Sequence, residues 1–181
     1  MVRLRAVTVG LFVAVVAAGC GGGDDASPTT EKPVRSSNDS SSEVRTSEQV
    51  CELVSSSEAV TAVDEMVTPS PGGPGLPSCT WSAGEGDGPS LRIQFDRGAV
   101  AYDAFDRGIK SGGIPVSKGA PAEGVGDAAY WDFSAGPDQP SLRVRSGEDA
   151  FVVTIVNPAF SDDQVRASST TVAESVVGKL L

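Results

Sequence analysis

The chain has 181 residues, 14 Lys+Arg against 24 Asp+Glu, a formal net charge of −10, and no histidine. So acidic a chain offers no basic surface for nucleic acid or for anionic headgroups. The missing imidazole removes the commonest general base, the usual nucleophile triads and most zinc sites.

The first predicted element is a signal. Arg3 and Arg5 precede an apolar run from Ala6 to Ala18, which ends in Ala17-Ala18-Gly19-Cys20. A charged start, a short apolar stretch and small residues at a cleavage point are the pattern of a secretory signal peptide. The run falls short of the roughly 20 apolar residues that a helix needs to cross a membrane. A cysteine directly after the small residues narrows the reading to a bacterial lipoprotein. Residues 1–19 are then removed, and the Cys20 thiol carries a diacylglyceryl group with acyl chains such as palmitate. Two chains hold a protein durably where one holds it only marginally. The expected location is therefore the outer, extracytoplasmic face of the cell membrane, with the membrane itself as a partner through Cys20. Without Arg3 and Arg5 the balance is 12 basic against 24 acidic residues.

Residues 20–45 are Gly, Ser, Thr, Pro and charged residues with almost no apolar side chain. Such a segment cannot bury enough surface to offset the entropy of ordering, and it reads as a disordered tether. As a flexible coil it would reach about 25–30 Å. Residues 46–181 then form a single domain, long enough to bury a core.

The domain opens at Thr46-Ser47-Glu48-Gln49, a capping-box pattern, with Val50, Leu53 and Val54 on one helical face and Cys51 on the same helix. A second helix start stands at Ser55-Ser56-Ser57-Glu58. The stretch from Pro69 to Gly75 reads as loop. Cys79, Trp81 and Ala83 alternate with polar residues as in a half-buried strand, and Leu91, Ile93 and Phe95 do the same after a turn. With Cys20 lipidated, Cys51 and Cys79 remain as a pair, which an oxidising compartment makes a disulfide. Tyr102, Phe105 and Ile109 mark a helix that stops at Gly112-Gly113.

The second half echoes the first. Trp81, Ser82-Ala83-Gly84 and Pro89-Ser90-Leu91-Arg92 are matched by Trp131, Ser134-Ala135-Gly136 and Pro140-Ser141-Leu142-Arg143. Phe151 to Val156 is a continuous, β-branched run suited to a buried central strand. Ser161-Asp162-Asp163-Gln164 is a further capping box, opening a last helix through Val165, Val172, Val176 and Leu180. The fold class predicted is α+β: a mostly antiparallel sheet of about five strands with helices on one face, and two related halves if the echo is structural.

An acylated cysteine, a polar tether, a Cys on the first helix, the Cys79-Thr80-Trp81 strand, the Gly126-Asp127-Ala128-Ala129-Tyr130-Trp131 segment and a closing helix resemble the actinobacterial lipoproteins of domain-of-unknown-function family 3558. The resemblance covers roughly Val50 to Leu181. It implies an envelope location and a disulfide, and it carries no activity.

For chemistry the sequence offers little. None of Lys32, Lys110, Lys118 or Lys179 has a serine three residues before it, and Gly124-Val125-Gly126 precedes a strand where a dinucleotide fingerprint would follow one. No catalytic residue, cofactor or metal ligand is expected. Paired carboxylates could still cleave a glycoside, with Glu85, Asp87, Asp127, Asp132 and Asp138 as candidates, although such residues favour turns for backbone reasons. Tyr130, Trp131 and Trp81 are the candidate ligand or partner surface: adjacent strand residues point to opposite faces, so one of Tyr130 and Trp131 is expected outside. The function expected is a non-catalytic binding or interaction module that engages an envelope protein or a small ligand. The alternatives are a carboxylate-dependent hydrolase of envelope polysaccharide and a small-ligand carrier.

Overall fold

A computed structural model describes residues 45–84, 88–96, 98–115, 118–136 and 139–181. The predicted signal peptide, Cys20 and all but the last residue of the tether lie outside them. So do Glu85, Asp87 and Asp138. Among the described residues no helix is long and apolar enough to cross a membrane.

Two short helices open the fold, α1 (Ser47–Glu52) and α2 (Ser56–Val63), each with the capping box that its sequence specifies. Strands β1 (Thr68–Pro71), β2 (Ser78–Ser82) and β3 (Ser90–Phe95) follow, then α3 (Ala99–Lys110). The chain continues through β4 (Gly119–Ala122), β5 (Ala128–Asp132), β6 (Ser141–Ser146) and β7 (Asp149–Val156), and α4 (Asp162–Leu180) closes it. All strand pairs are antiparallel, in the order β1-β2-β3-β7-β6-β5-β4. The apolar run from Phe151 is thus the central strand, as its composition implies.

The sheet has seven strands, where sequence alternation gives about five. The two additional ones are its edges, and both contain proline. In β1 the Gly72 amide donates to the Ser78 carbonyl at 2.7 Å, so even-numbered residues bond to β2 and Pro69 and Pro71 face the open edge. At the other side the Phe133 amide donates to Lys118 at 3.0 Å, which turns Pro121 outward in the same way. A proline on an edge loses no ladder bond, and it denies a donor to any strand that would add there. The loop reading of Pro69 to Pro71 is corrected accordingly.

Helices cover both faces rather than one. Leu91, Ile93, Phe95, Trp131, Leu142, Val144, Phe151, Val153 and Ile155 point into a main core, which Val50, Ala59, Val63, Val172 and Val176 of α1, α2 and α4 complete. On the opposite face α3 lays Tyr102, Phe105 and Ile109 over Ala128, Tyr130 and Ala150, a separate and smaller cluster. Gly119 makes this approach possible, because a side chain there would run into Ile109.

The echo between the halves is one of register, not of a duplicated unit. Trp81 pairs with Leu91 as Trp131 pairs with Leu142, and Thr80 with Arg92 as Tyr130 with Arg143. Both hairpins step inward toward β7 with their tryptophans on the same face. Seen from the main core they therefore turn in opposite senses, and no rotation superposes one on the other.

Candidate functional site

The three aromatic residues singled out from the sequence are all buried. Trp81 is 0%, Trp131 7% and Tyr130 9% exposed. Trp81 and Trp131 belong to the main core, where Arg166 of α4 lies 5.2 Å from the Trp131 ring and the same distance from Phe133, closing that side. Tyr130 does face the other way, as alternation requires, but α3 waits there. Its ring packs at 5.9 Å from Tyr102 and 6.1 Å from Phe105, and its hydroxyl donates to Asp106 at 2.6 Å. The three aromatics therefore lie in two cores on opposite faces of the sheet, and none of them forms an exposed surface.

The acidic candidates are tied up in structure. Asp127 accepts from the Gly147 amide at 2.7 Å, and Gly126 before it sits at φ 57°, where a side chain would meet the Arg145 carbonyl. This is a tight turn into β5, and the Asp127 carboxylate is engaged within it. Asp132 accepts from the Ser134 amide and from Arg143, both at 2.8 Å. Burial alone would raise its carboxyl, yet those bonds outweigh it and hold the group below the usual carboxylate range. Asp96, which sequence inspection does not single out, lies 3.6 Å from the same guanidinium, and burial pushes its carboxyl up against the pull of Arg143. Arg143 thus occupies the space between two carboxylates. The hollow beside it, lined by Arg92, Gln94, Asp96, Arg143, Val152 and Thr154, holds about 130 Å³, well under the ~300 Å³ at which ligand pockets begin. Among the described residues no three of His, Cys, Asp and Glu converge as metal ligands would.

Compared with known proteins, no family model, no curated protein and no solved structure matches the chain.

A concavity of about 360 Å³ lies between α2 and α4, within the range of ligand sites. Its lining comprises Val54, Ala62 and Val172 together with Ser57, Glu58, Thr61, Ala167, Ser168, Thr171 and Ser175. Thr61 donates its hydroxyl to the Ser57 carbonyl at 2.8 Å, and Thr171 does the same to Ala167 at 3.0 Å. Both threonines satisfy their oxygens on their own helix. What sequence inspection lacks here is a hydrophobic signal, since small and hydroxyl residues at i, i+4 spacing (Ser57 and Thr61; Ala167, Thr171 and Ser175) look like a solvated face.

One end of the groove is closed by charge. Glu58, the third residue of α2, accepts from the Ser55 amide at 2.7 Å, from the Ser175 hydroxyl and from Lys179 at 3.0 Å. The Lys179 ammonium also donates to the Leu53 carbonyl at the end of α1, at 2.8 Å. At the other end of α2, the Asn157 side chain donates to the Val63 carbonyl at 2.7 Å. The Ser175 bond, followed by those from Ser55, holds the Glu58 carboxyl at about 2, below its ordinary 4.5.

A folded-state value below the unfolded one means stability that is complete above about 4.5 and lost as the pH falls from there toward 2. The side chain is 37% exposed, so solvent screening keeps the effect modest. Glu58→Gln is expected to lower stability by about 1 kcal/mol at neutral pH, the size of a lost cap. Urea unfolding at several pH values checks it: the gap between wild type and variant should close below pH 4.5.

Proposed function

We propose that this chain is a lipid-anchored, extracytoplasmic binding module with no catalytic chemistry of its own, and that the groove between α2 and α4 is where it binds. The observation that carries the reading is the groove: 360 Å³ whose exposed surface is mostly apolar although most of its lining residues are polar, built on two helices that are capped and cross-tied. Rigid helices hold a site more accurately than loops do. The signal over residues 1–19, the cysteine directly after it and the polar stretch behind support confinement beside the membrane, and the resemblance to family 3558 points to the same compartment. A carrier that hands a small ligand to a transporter would use the same groove. The hydrolase reading draws no support from Asp127 and Asp132, which bond to different partners.

Two measurements test the reading. Intact-mass analysis of protein taken from membranes should show a chain that begins at Cys20 and carries acyl glycerol, and Cys20→Ala should leave the membrane fraction. An unmodified terminus overturns the anchor. Small molecules retained from an envelope extract should be lost from Ala167→Trp, which fills the groove from an exposed position on α4. Identical retention by wild type and variant overturns the binding role.

A further inference from the structure

Six of the ten residues that line the groove are polar, and five of these have partners within the protein. Thr61 and Thr171 bond to their own helices, Ser57 shares a hydrogen bond with Ser55 at 3.1 Å, and Glu58 and Ser175 bond to each other. The nearby Lys179 spends its donors on Leu53 and on both Glu58 oxygens, at 2.8, 3.2 and 3.0 Å. A ligand with buried polar groups would find few free partners, and an unpaired buried polar group is costly. The groove therefore favours hydrocarbon, because most of its own polar side chains are already satisfied.

Size narrows the occupant further. A helix of a partner protein is about 10–12 Å across, and a stable protein interface takes about 800 Å² per side. Ten residues, seven of them Ala, Ser or Thr, around 360 Å³ provide neither. The groove is of the size that a flexible chain fills.

On the reading of the groove as a binding site, we infer that its ligand is one acyl chain of a separate, single-chain amphiphile, with the chain against Val54, Ala62, Thr61, Ala167 and Val172 and the headgroup in water. A single chain is held by a bilayer only marginally and reversibly, so a protein groove can compete for it. Chains on Cys20 are held as a set, and withdrawing one would weaken the anchor without a compensating gain.

The test uses the full-length protein in vesicles of phosphatidylcholine and a palmitic acid that carries a photoreactive diazirine in mid-chain. After illumination, adducts should map to peptides containing residues 54–62 and 167–175, and unlabelled palmitate should compete them away. Ala167→Trp should reduce labelling at least tenfold, whereas Thr154→Trp, on the opposite face of the sheet, should leave it unchanged. Thr61→Gln, on the facing wall, provides a second block if the tryptophan variant does not fold, as judged by circular dichroism. Adducts elsewhere, or undiminished labelling of both groove variants, overturn the inference. If the probe fails while Ala167→Trp still releases another compound captured from envelope extract, the acyl ligand is wrong and the binding site stands. If neither is affected, both fall.

Discussion

Trp81→Ala is expected to remove about 3–5 kcal/mol of folding stability, the range for deleting a large aromatic side chain from a core. Domains of this kind are stable by only about 5–15 kcal/mol, so the variant should melt roughly 10–15 °C lower, if it accumulates at all. The reason is position. Trp81 is wholly buried on β2, directly opposite Leu91, on the face where α1 packs. Tyr130→Ala provides the contrast. It belongs to the smaller cluster under α3, whose buried members are Tyr102, Tyr130 and Ala150. Its loss should loosen α3 and cost less than the loss of Trp81, because fewer neighbours surround the cavity. Thermal unfolding of the two variants side by side checks both statements. Equal costs would mean that the two faces of the sheet contribute alike to stability, against the division into a larger and a smaller core.

That division explains how far the sequence could be read. The capping boxes at Thr46, Ser55 and Ser161 are formed as their residues imply, because a cap is a contact between positions three apart and needs no tertiary information. The alternation in β2, β3 and β6 and the unbroken run in β7 were legible for the same reason: burial on one face or on both writes a local period. β1 and β4 were not, since four residues with prolines carry no period, and only an edge position makes proline harmless. Tyr102, Phe105 and Ile109 announced a helix with one apolar side, but nothing local says which face of a sheet that side will cover. Alternation along β5 does separate Tyr130 from Trp131, but which of the two faces stays open is decided by where α3 packs, and α3 covers the side of Tyr130. The groove was invisible because its walls lie about a hundred positions apart in the chain and its residues are small.

Removal of the Cys51–Cys79 bridge is the other change with a large expected effect, and it bears on the groove as well as on stability. The two cysteines, 28 positions apart, are joined with their Cα atoms 5.1 Å apart, one on α1 and the other at the buried start of β2. Closing a loop of that length lowers the entropy of the unfolded chain by an amount worth about 3.5 kcal/mol. The loop contains α2, which is one wall of the groove, so the bridge restrains a groove-lining element and not only the chain as a whole. Two further ties act on the same segment: Lys179 on the Leu53 carbonyl and Asn157 on the Val63 carbonyl. Both depend on polar groups that compete with water, and each is worth about 1 kcal/mol. Without the bridge they cannot hold α2 against local opening. The double variant Cys51→Ala, Cys79→Ala is thus expected to show a lower denaturation midpoint and faster amide exchange in α1 and α2. β6 and β7, whose ladders do not pass through the loop, should keep more of their protection. Uniform loss of protection across the sheet would show that the bridge acts only on the unfolded chain, and unchanged exchange in α2 would show that the helix needs no covalent restraint.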